Sequence, residues 1–366
     1  MNGQVFRYGM SAGGVTSLEV SEALQAIPTI SLVMEQDDFS SSATGIYSNA
    51  MQRGRDWERP ASIELINENR QGLGQFQIDC GVRIRGGASR ATNNPKHSFR
   101  LFFRDEYGGV LRYPIFQEEG PGRFENLDLR TSQNYSWAWR NNFQNTFLRD
   151  IYGRDTLRDM GQLYTRSRYY HLYINGVYWG LFMSQERSEA SYGETYLGGS
   201  EDDYDTIKAA GNTANYTTEA ADGDMNGAWR DLWAAVRALR ADPADDAAYF
   251  ALQGLGPDGL SPHPDPAANP VLFDVDNLAD YMLAIFFTGS FDGPLGHWVR
   301  ASNNWFALRN RTGTHGFQFF AHDGEHSMGA RSEGGELAGV SDDRVGPFGD
   351  LFTDRPPSAF DRSNPQ

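Results

Sequence analysis

The sequence predicts an α+β protein, and three patterns support that prediction. Strand-length segments alternate or run apolar in the first third of the chain, divided by Gly, Asn and Asp clusters, at residues 29–35, 61–67, 76–86 and 97–104. The pair Asn175-Gly176 lies between two further strand-like runs, which is typical of a tight β-hairpin. Apolar residues recur at helical spacing later, over 228–241 and 274–291. We therefore expect an antiparallel sheet first and more helix afterwards.

Local signals predict the remaining elements of the first half. Trp137, Phe143, Phe147 and Ile151 recur at helical spacing, which predicts a helix over 137–152 that ends at the following "GRD". The stretch "SEASYGETYL", after the hairpin, predicts the start of another helix.

The second half has its own start and stop signals. The pair Asp242-Pro243 favours the start of a helix, and residues 254–270, rich in Pro and Gly, predict a surface loop. Residues 303–310 and 316–320 are two strand-like runs around "RTGT", which predicts a second hairpin.

Composition limits the kinds of partner that we expect. The chain has 366 residues, of which 39% are hydrophobic, so it is long and apolar enough to bury a core. Its formal charge of −16 opposes binding to nucleic acid and to anionic membranes. No apolar run reaches the roughly 18 residues of a membrane helix, so we expect no membrane insertion. Cys80 is the only cysteine, which excludes an intrachain disulfide.

The basic residues are unevenly divided between arginine and lysine. Only Lys96 and Lys208 among the 32 basic residues are lysines. An ammonium group is a compact point charge that a planar guanidinium cannot replace. Both lysines are therefore candidates for binding phosphate groups, with compositional drift as the alternative.

We predict one main domain with flanking segments. Residues 1–27 form an N-terminal extension, and residues 28–330 form a domain with a β-rich part over 28–210 and a more helical part over 211–330. Residues 331–366 are polar and contain prolines, and we expect them to be part of a longer chain.

The segment "HDGEHS", residues 322–327, allows two interpretations. His322, Glu325 and His326 fit the H-x-x-E-H pattern of zinc proteases, but that pattern requires a helix. Here it follows a strand and contains Asp323-Gly324, a turn pair, so the helix is not expected. Asp323 and Glu325 alone suit a hard cation such as Mg²⁺, which binds carboxylates and substrate phosphates. A solvated acidic turn is the plainer alternative.

Two other polar residues are expected near this turn. Asp292 follows an apolar helix, and Asn304 begins the hairpin whose second strand ends at Asp323. A base aspartate, a metal-binding asparagine and a second metal-binding aspartate after a hairpin occur in this order in protein kinases. Such a site also needs a cation held by a carboxylate, for which Lys208 and Glu186 are the candidates.

Lys96 is the alternative to Lys208 as the cation that binds nucleotide phosphates. For Lys208, Glu186 and Lys96 alike, an ordinary surface ion pair is the competing interpretation.

Five ordered segments carry a family resemblance, at residues 94–108, 169–186, 204–211, 276–294 and 303–327. They include "NPKHSFRLFFRDEYG", "YDTIKAAG" and "NNWFALRNRTGTHGFQFFAHDGEHS". Together they resemble the CotH family of spore-coat-protein-H-like atypical kinases, and the similarity runs from about residue 28 to 328. The resemblance implies a divergent protein-kinase-like fold that uses ATP with Mg²⁺ or Mn²⁺ to phosphorylate protein serine or threonine.

The resemblance also implies residue roles. Asp292 corresponds to the family's catalytic aspartate, Asn304 to its metal-binding asparagine, Asp323 to the first acid of its D-x-D pattern and Glu325 to the second. The segment between Asp292 and Asn303 is longer than the family's, and "HDGEHS" replaces its usual tryptophan-containing form. The family context predicts a bacterial secreted, cell-surface or spore-coat location, with a cytoplasmic one left open.

Two alternatives to a kinase stay open at this point. An inactive domain of this type would be an assembly or binding module, with exposed aromatics contacting glycans or proteins; the candidates are Trp137, Trp139, Trp179 and Trp298. A metal-dependent phosphoester hydrolase or nucleotidyl transferase would keep the metal and change the product. The oligomeric state is not predicted.

Overall fold

The structure is a computed structural model, and we describe residues 14–66, 74–132, 135–136, 139, 142–212, 215–294 and 303–331. The predicted α+β class is confirmed, since the described residues contain seven α-helices and two sheets. The chain divides into two compact units: the first comprises residues 1–145 and 166–187, and the second comprises residues 146–165 and 188–366. Each unit is described separately.

The first unit is built on a seven-stranded closed barrel. Its strands are β1 Thr29–Val33, β2 Arg59–Ile66, β3 Gln77–Arg85, β4 Ser98–Phe102, β5 Asn126–Arg130, β6 Ser167–Ile174 and β7 Val177–Gln185. The order around the barrel is β1-β2-β3-β4-β5-β7-β6, and β1 closes it by pairing in parallel with β6. The unit also contains α1 Ser17–Ala26 and α2 Gln36–Ser40.

Alternating side chains fill the barrel. Ile30 and Leu32 of β1 and Val82 and Ile84 of β3 are buried in one apolar core, as the period of two in a strand requires. The predicted hairpin is confirmed: β6 and β7 pair antiparallel around Asn175-Gly176. Both turn residues have positive φ, which asparagine and glycine tolerate best.

The predicted antiparallel sheet is present, but a parallel pair of strands closes it into a barrel. The parallel β1–β6 pair joins strands that are far apart in sequence, and local patterns carry no information about it. Strand β5 was also missed, because its alternate residues Asp128 and Arg130 are charged yet buried. A closed seven-stranded barrel is not the usual N-terminal lobe of a protein kinase.

The second unit contains a four-stranded sheet and five helices. Its strands are β8 Tyr204–Asn212, β9 Asn215–Asp222, β10 Trp305–Asn310 and β11 Gln318–Ala321, in the order β11-β10-β8-β9. The helices are α3 Arg149–Asp159, α4 Ala190–Leu197, α5 Arg230–Ala241, α6 Asp246–Leu252 and α7 Val275–Thr288. The predicted hairpin of 303–310 and 316–320 is confirmed as β10 and β11.

Each face of this sheet packs against a different core. Trp305 and Ala307 of β10 belong to a core with Tyr281 and Ile285 of α7. Phe306 points to the other face, into a core that includes α4. The sheet is therefore covered on both sides, and its strand ends are the places where polar side chains can collect.

The helix expected over 137–152 is wrong for residues 142–148, and only residues 149–152 of that range are helical. Helix α3 begins at Arg149 and continues to Asp159, past the expected end. Phe147 has φ of 55°, which is incompatible with a right-handed helix, and Phe143 is 85% exposed, so their helical spacing does not mark a buried face. Trp137 lies outside the described residues.

The boundary predicted near residue 210 falls inside β8, and the compact units divide at other positions. Lys208 is a residue of β8. Among the described helices, none combines the length and apolarity needed to cross a bilayer.

Candidate functional site

Helix α7 places Asp292 at the candidate site. The Asp274 side chain caps the start of the helix, accepting a hydrogen bond of 2.9 Å from the Asn277 N–H. Gly289 ends it in the left-handed conformation, with φ of 63°. The Phe291 N–H then donates to the His326 carbonyl at 3.0 Å. This bond ties the end of α7 to the segment "HDGEHS".

Two asparagines hold the Asp292 carboxylate. Asn303 Nδ2 donates to Oδ1 at 3.0 Å, and Asn304 Nδ2 donates to Oδ2 at 3.0 Å and to the Asp292 carbonyl at 2.9 Å. The pKa of Asp292 is raised to about 6, mainly because the carboxyl group is desolvated; the charge of Asp323 also raises it, and the hydrogen bonds from the two asparagines lower it. A cation beside this carboxylate would therefore be strongly attracted.

The hairpin brings Asn304 and Asp323 to one end of the sheet. Trp305 of β10 pairs with Ala321 of β11, so Asn304 and Asp323 both lie just beyond that pair. Both have positive φ, 51° and 58°, a conformation that asparagine and aspartate adopt more readily than most residues. The structure thus brings Asp292, Asn304 and Asp323 together.

The two histidines of "HDGEHS" contact aromatic rings. His322 lies edge-on to Phe306, with ring centroids 4.8 Å apart. His326 is buried against Phe291, and its Nε2 lies 3.9 Å from Asp292 Oδ2. The segment is a turn without a helix, so the zinc-protease geometry is absent, and no group of three His, Cys, Asp or Glu among the described residues is arranged for a metal.

The donor chemistry fits a hard cation with few protein ligands. Asp323 and Glu325 supply carboxylate oxygens from the same turn. Asn304 uses its amide nitrogen to bind Asp292, which leaves its oxygen as the ligand atom. Magnesium commonly takes one or two carboxylates and completes its shell with water and phosphate oxygens. The residues therefore fit Mg²⁺ or Mn²⁺ better than a closed cage of side chains.

Sequence reasoning missed a fourth acid, Asp150 of α3. Its Oδ1 accepts a 2.9 Å hydrogen bond from the Gly324 N–H, and its Oδ2 pairs with Arg154 at 3.0 Å. Both side chains are almost fully buried. Asp150 therefore positions the turn that carries Asp323. The four-residue spacing of Asp150 and Arg154 is typical of an ion pair on one face of a helix. That spacing carries no information about the hydrogen bond from Gly324 to Asp150.

Lys208 and Glu186 lie in different units, and each has a partner within its own unit. Lys208 of β8 pairs across the sheet with Glu219, with 3.0 Å between Nζ and Oε1. Glu186 accepts hydrogen bonds from Arg166, at 2.9 Å from its backbone N–H and 3.2 Å from Nη1. Their predicted partnership stays a prediction.

Lys96 contacts the barrel wall in the first unit. Its Nζ donates to the Leu181 carbonyl at 3.2 Å and lies 4.6 Å from the centre of the Phe182 ring. Burial lowers the pKa of Lys96 to about 8. A β-carbon on Gly180 would approach Nζ to 2.8 Å, so glycine leaves space for the ammonium group.

We expect the lowered pKa of Lys96 to appear in the pH dependence of stability. The folded state releases the Lys96 proton near pH 8, whereas the unfolded chain keeps it to about pH 10.4, so this group makes the free energy of unfolding rise between those values. The difference between Lys96→Met and the parent protein in urea unfolding, measured at about pH 7.5 and pH 9.5, isolates this contribution. A difference that does not change with pH would contradict it.

Comparison with known protein families identifies a match that covers the candidate site. The family model described as CotH kinase protein matches residues 82–352, which is most of the chain. That range includes the candidate residues Asp292, Asn304, Asp323 and Glu325. No curated protein matches the chain.

Proposed function

We propose that this chain, which belongs to the CotH kinase protein family, transfers the γ-phosphoryl group of ATP to a serine or threonine of another protein. The observation that carries the proposal is the position of Asp292. Its partly buried carboxylate accepts hydrogen bonds from two asparagines and lies close enough to Asp323 for that charge to raise its pKa, which is an arrangement suited to a cation and an incoming hydroxyl.

Asp292 would orient the acceptor hydroxyl and receive its proton. The asparagine bonds fix the carboxylate, so little rearrangement is needed when the hydroxyl arrives. With a pKa near 6, the carboxylate is mostly ionised at neutral pH and is a better proton acceptor than an ordinary aspartate.

Asn304, Asp323 and Glu325 would hold Mg²⁺ or Mn²⁺. A divalent ion supplies charge neutralisation for the phosphate oxygens in phosphoryl transfer. Asp150 supports this role through the backbone of Gly324, because a turn tied to a buried ion pair keeps the carboxylates in place.

Lys208 would bind nucleotide phosphates from the sheet. It lies directly opposite Phe306 on β10, two residues from Asn304, so its side chain and the candidate site belong to the same region of the second unit. Glu186 would steady the lysine, and Lys96 is the alternative cation. The family's link to the spore coat supports a coat, cell-surface or secreted location. Membership of the family also supports a divergent kinase-like fold.

The test is transfer of label from γ-labelled ATP, with Mg²⁺ or Mn²⁺, to an acidic and a basic acceptor protein. We expect Asp292→Asn to lower the rate at least about 100-fold, because it removes the proton acceptor and keeps the side-chain shape. Asp242→Asn, at an exposed position beyond α5, is the matched control. Phosphoamino-acid analysis identifies serine or threonine as the acceptor.

Three outcomes would count against the proposal. Full activity of Asp292→Asn would remove Asp292 from the reaction. Release of free phosphate or attachment of the nucleotide would indicate a hydrolase or a nucleotidyl transferase. Absence of both labelling and nucleotide binding by calorimetry would exclude the kinase activity.

A further inference from the structure

Exposed apolar side chains collect on helices α3 and α7 of the second unit. Phe287 of α7 is 71% exposed, and Leu283, one turn earlier, is 57% exposed. Tyr152 of α3 is also exposed, and its ring stacks on that of Phe287 with the centroids 6.4 Å apart. Leu148, four residues before Tyr152, is exposed on the same side of α3. We call this group the apolar surface, and its members are Leu148, Tyr152, Leu283 and Phe287.

The outward face of α7 changes from acidic to apolar along the helix. Four residues follow one another at helical spacing and share that face: Asp276, Asp280, Leu283 and Phe287. The opposite face of the helix packs into the core of the second unit. Acids are the usual residues on the solvent side of such a helix, and large apolar residues are not. The apolar part of this face is the end that leads to Asp292.

Helix α3 shows the same change in the reverse direction. Its outward residues, at the same helical spacing, are Leu148, Tyr152, Asp155 and Asp159. Here the apolar residues come first. Asp150, between them in sequence, accepts the hydrogen bond from the Gly324 N–H. The apolar end of α3 therefore adjoins the turn of the candidate site.

The two helices run in opposite directions, which brings their apolar ends together. Gln162, just after α3, donates a hydrogen bond of 2.7 Å to Asp280 in the first half of α7. Tyr152, in the first half of α3, contacts Phe287 in the last turn of α7. The acidic ends of the two outward faces thus lie away from the candidate site, and the apolar ends lie beside it.

An acceptor at the candidate site would have the apolar surface within reach. Phe287 precedes Asp292 by five residues, which span at most about 18 Å. The exposed Met328 is tied to the same end of α7, because its N–H donates to the Thr288 carbonyl at 2.6 Å. Met328 follows His326 by two residues, and His326 Nε2 lies 3.9 Å from Asp292 Oδ2.

The size and chemistry of the apolar surface suit a short segment of polypeptide. Aromatic side chains bury about 150–250 Å² each when fully covered, so four or five partly exposed apolar residues offer on the order of 400 Å². A stable protein interface takes about 800 Å² from each partner, so a permanent second copy is not expected here. Residues 282–290 contain no charged side chain, so the contact that they offer is to an apolar group.

We propose that the apolar surface binds a bulky apolar side chain of the acceptor polypeptide, about one to five residues from its serine or threonine. An extended acceptor advances about 3.3 Å per residue, so about five residues cover the largest separation of Phe287 from Asp292. Burial of that side chain supplies binding energy away from the reacting groups. The inference rests on the proposed function, because it names the class of acceptor that the same site would use.

The test compares labelled peptides of about twelve residues, made of glycine, glutamine and alanine with one serine. In each pair, one peptide has phenylalanine and the other alanine at the same position, and that position is moved from one to about six residues away on either side of the serine. Fluorescence anisotropy with the whole chain, without nucleotide or metal, measures binding. Transfer from γ-labelled ATP with Mn²⁺ measures phosphorylation.

We expect phenylalanine at the favoured spacing to strengthen binding at least about tenfold over the matched alanine peptide. Because the side chain binds equally before and during the reaction, it should lower KM and leave kcat unchanged. A residue that acted only on the reacting groups would change kcat instead.

Substitutions in the apolar surface separate it from other apolar contacts. Leu283→Ser and Phe287→Ser should each remove most of the advantage of phenylalanine and leave phosphorylation of the alanine peptides unchanged. Leu260→Ser is the matched control, since it removes an 86% exposed leucine from the loop of residues 254–270 and should preserve the advantage. Thermal unfolding of each variant is measured, and either surface variant that is folded is sufficient for the comparison.

Equal binding of the phenylalanine and alanine peptides at every spacing, or an advantage that persists in a folded surface variant, would overturn the inference. Dimerisation that is lost in Phe287→Ser, or binding to lipid vesicles, without any preference for phenylalanine peptides would assign the surface to a second copy or to a membrane instead. A parent protein that binds the phenylalanine peptides through this surface but phosphorylates none of them would overturn the proposed function and the acceptor role, while the binding of an apolar side chain would stand.

Discussion

Replacing Asp323 with alanine should lower metal-dependent phosphoryl transfer by about 1,000-fold, if the proposed function holds. Asp323 follows β11 and lies close enough to Asp292 to raise its pKa. Its carboxylate is one of the proposed ligands for a divalent ion, together with Asn304 and Glu325. Without it, the cation would have to be held by a neutral amide and Glu325, and both affinity and position would be lost.

A second substitution separates the charge of Asp323 from its backbone conformation. Asp323 has φ of 58°, where alanine costs about 1 kcal/mol or more, so part of any effect of Asp323→Ala arises from the turn. Asparagine tolerates this conformation and has the same shape without the charge. We expect Asp323→Asn to lose activity nearly as fully, with little change in thermal unfolding.

Turnover is measured over a range of Mn²⁺ concentrations, with calorimetry for metal binding. Asp242→Ala, which removes an exposed acid after α5, is the control and should behave like the parent protein. Turnover retained by both Asp323 variants would exclude Asp323 as a metal ligand.

The candidate site was predictable because its parts are defined locally. The apolar periodicity of α7 and the hairpin of β10 and β11 each follow from neighbouring residues. Together they predict that Asp292, which follows α7, lies near Asn304, which precedes β10, and Asp323, which follows β11. The turn pair Asp323-Gly324 likewise predicted that no zinc-binding helix would form.

Features that depend on distant residues were not predictable in this way. Asp150 reaches Gly324 across 174 positions of sequence, and nothing near either residue indicates the contact. The parallel pairing of β1 with β6 closes the barrel in the same non-local manner. Strand β5 was not predicted, because its buried face includes Asp128, which forms ion pairs where a strand usually has apolar residues.

Asp128 of β5 should be among the most important residues for the stability of the barrel. We expect Asp128→Asn to lower the free energy of unfolding by about 3–5 kcal/mol, because three largely buried arginines would lose their common counter-ion. Urea unfolding at about pH 7 measures the change. Asp105→Asn, at an exposed position of the same unit, should stay within about 0.5 kcal/mol of the parent protein.

The pH dependence of that difference tests its electrostatic origin. The folded pKa of Asp128 lies below its unfolded value of about 3.9, so the carboxylate contributes its full stabilisation above about pH 5. The contribution declines as pH falls through 3.9 towards the folded pKa. We therefore expect a constant difference between Asp128→Asn and the parent protein from about pH 5 to pH 8, and a smaller one near pH 3.5. A difference that persists undiminished in acid would show that packing, rather than charge, explains the effect of the substitution.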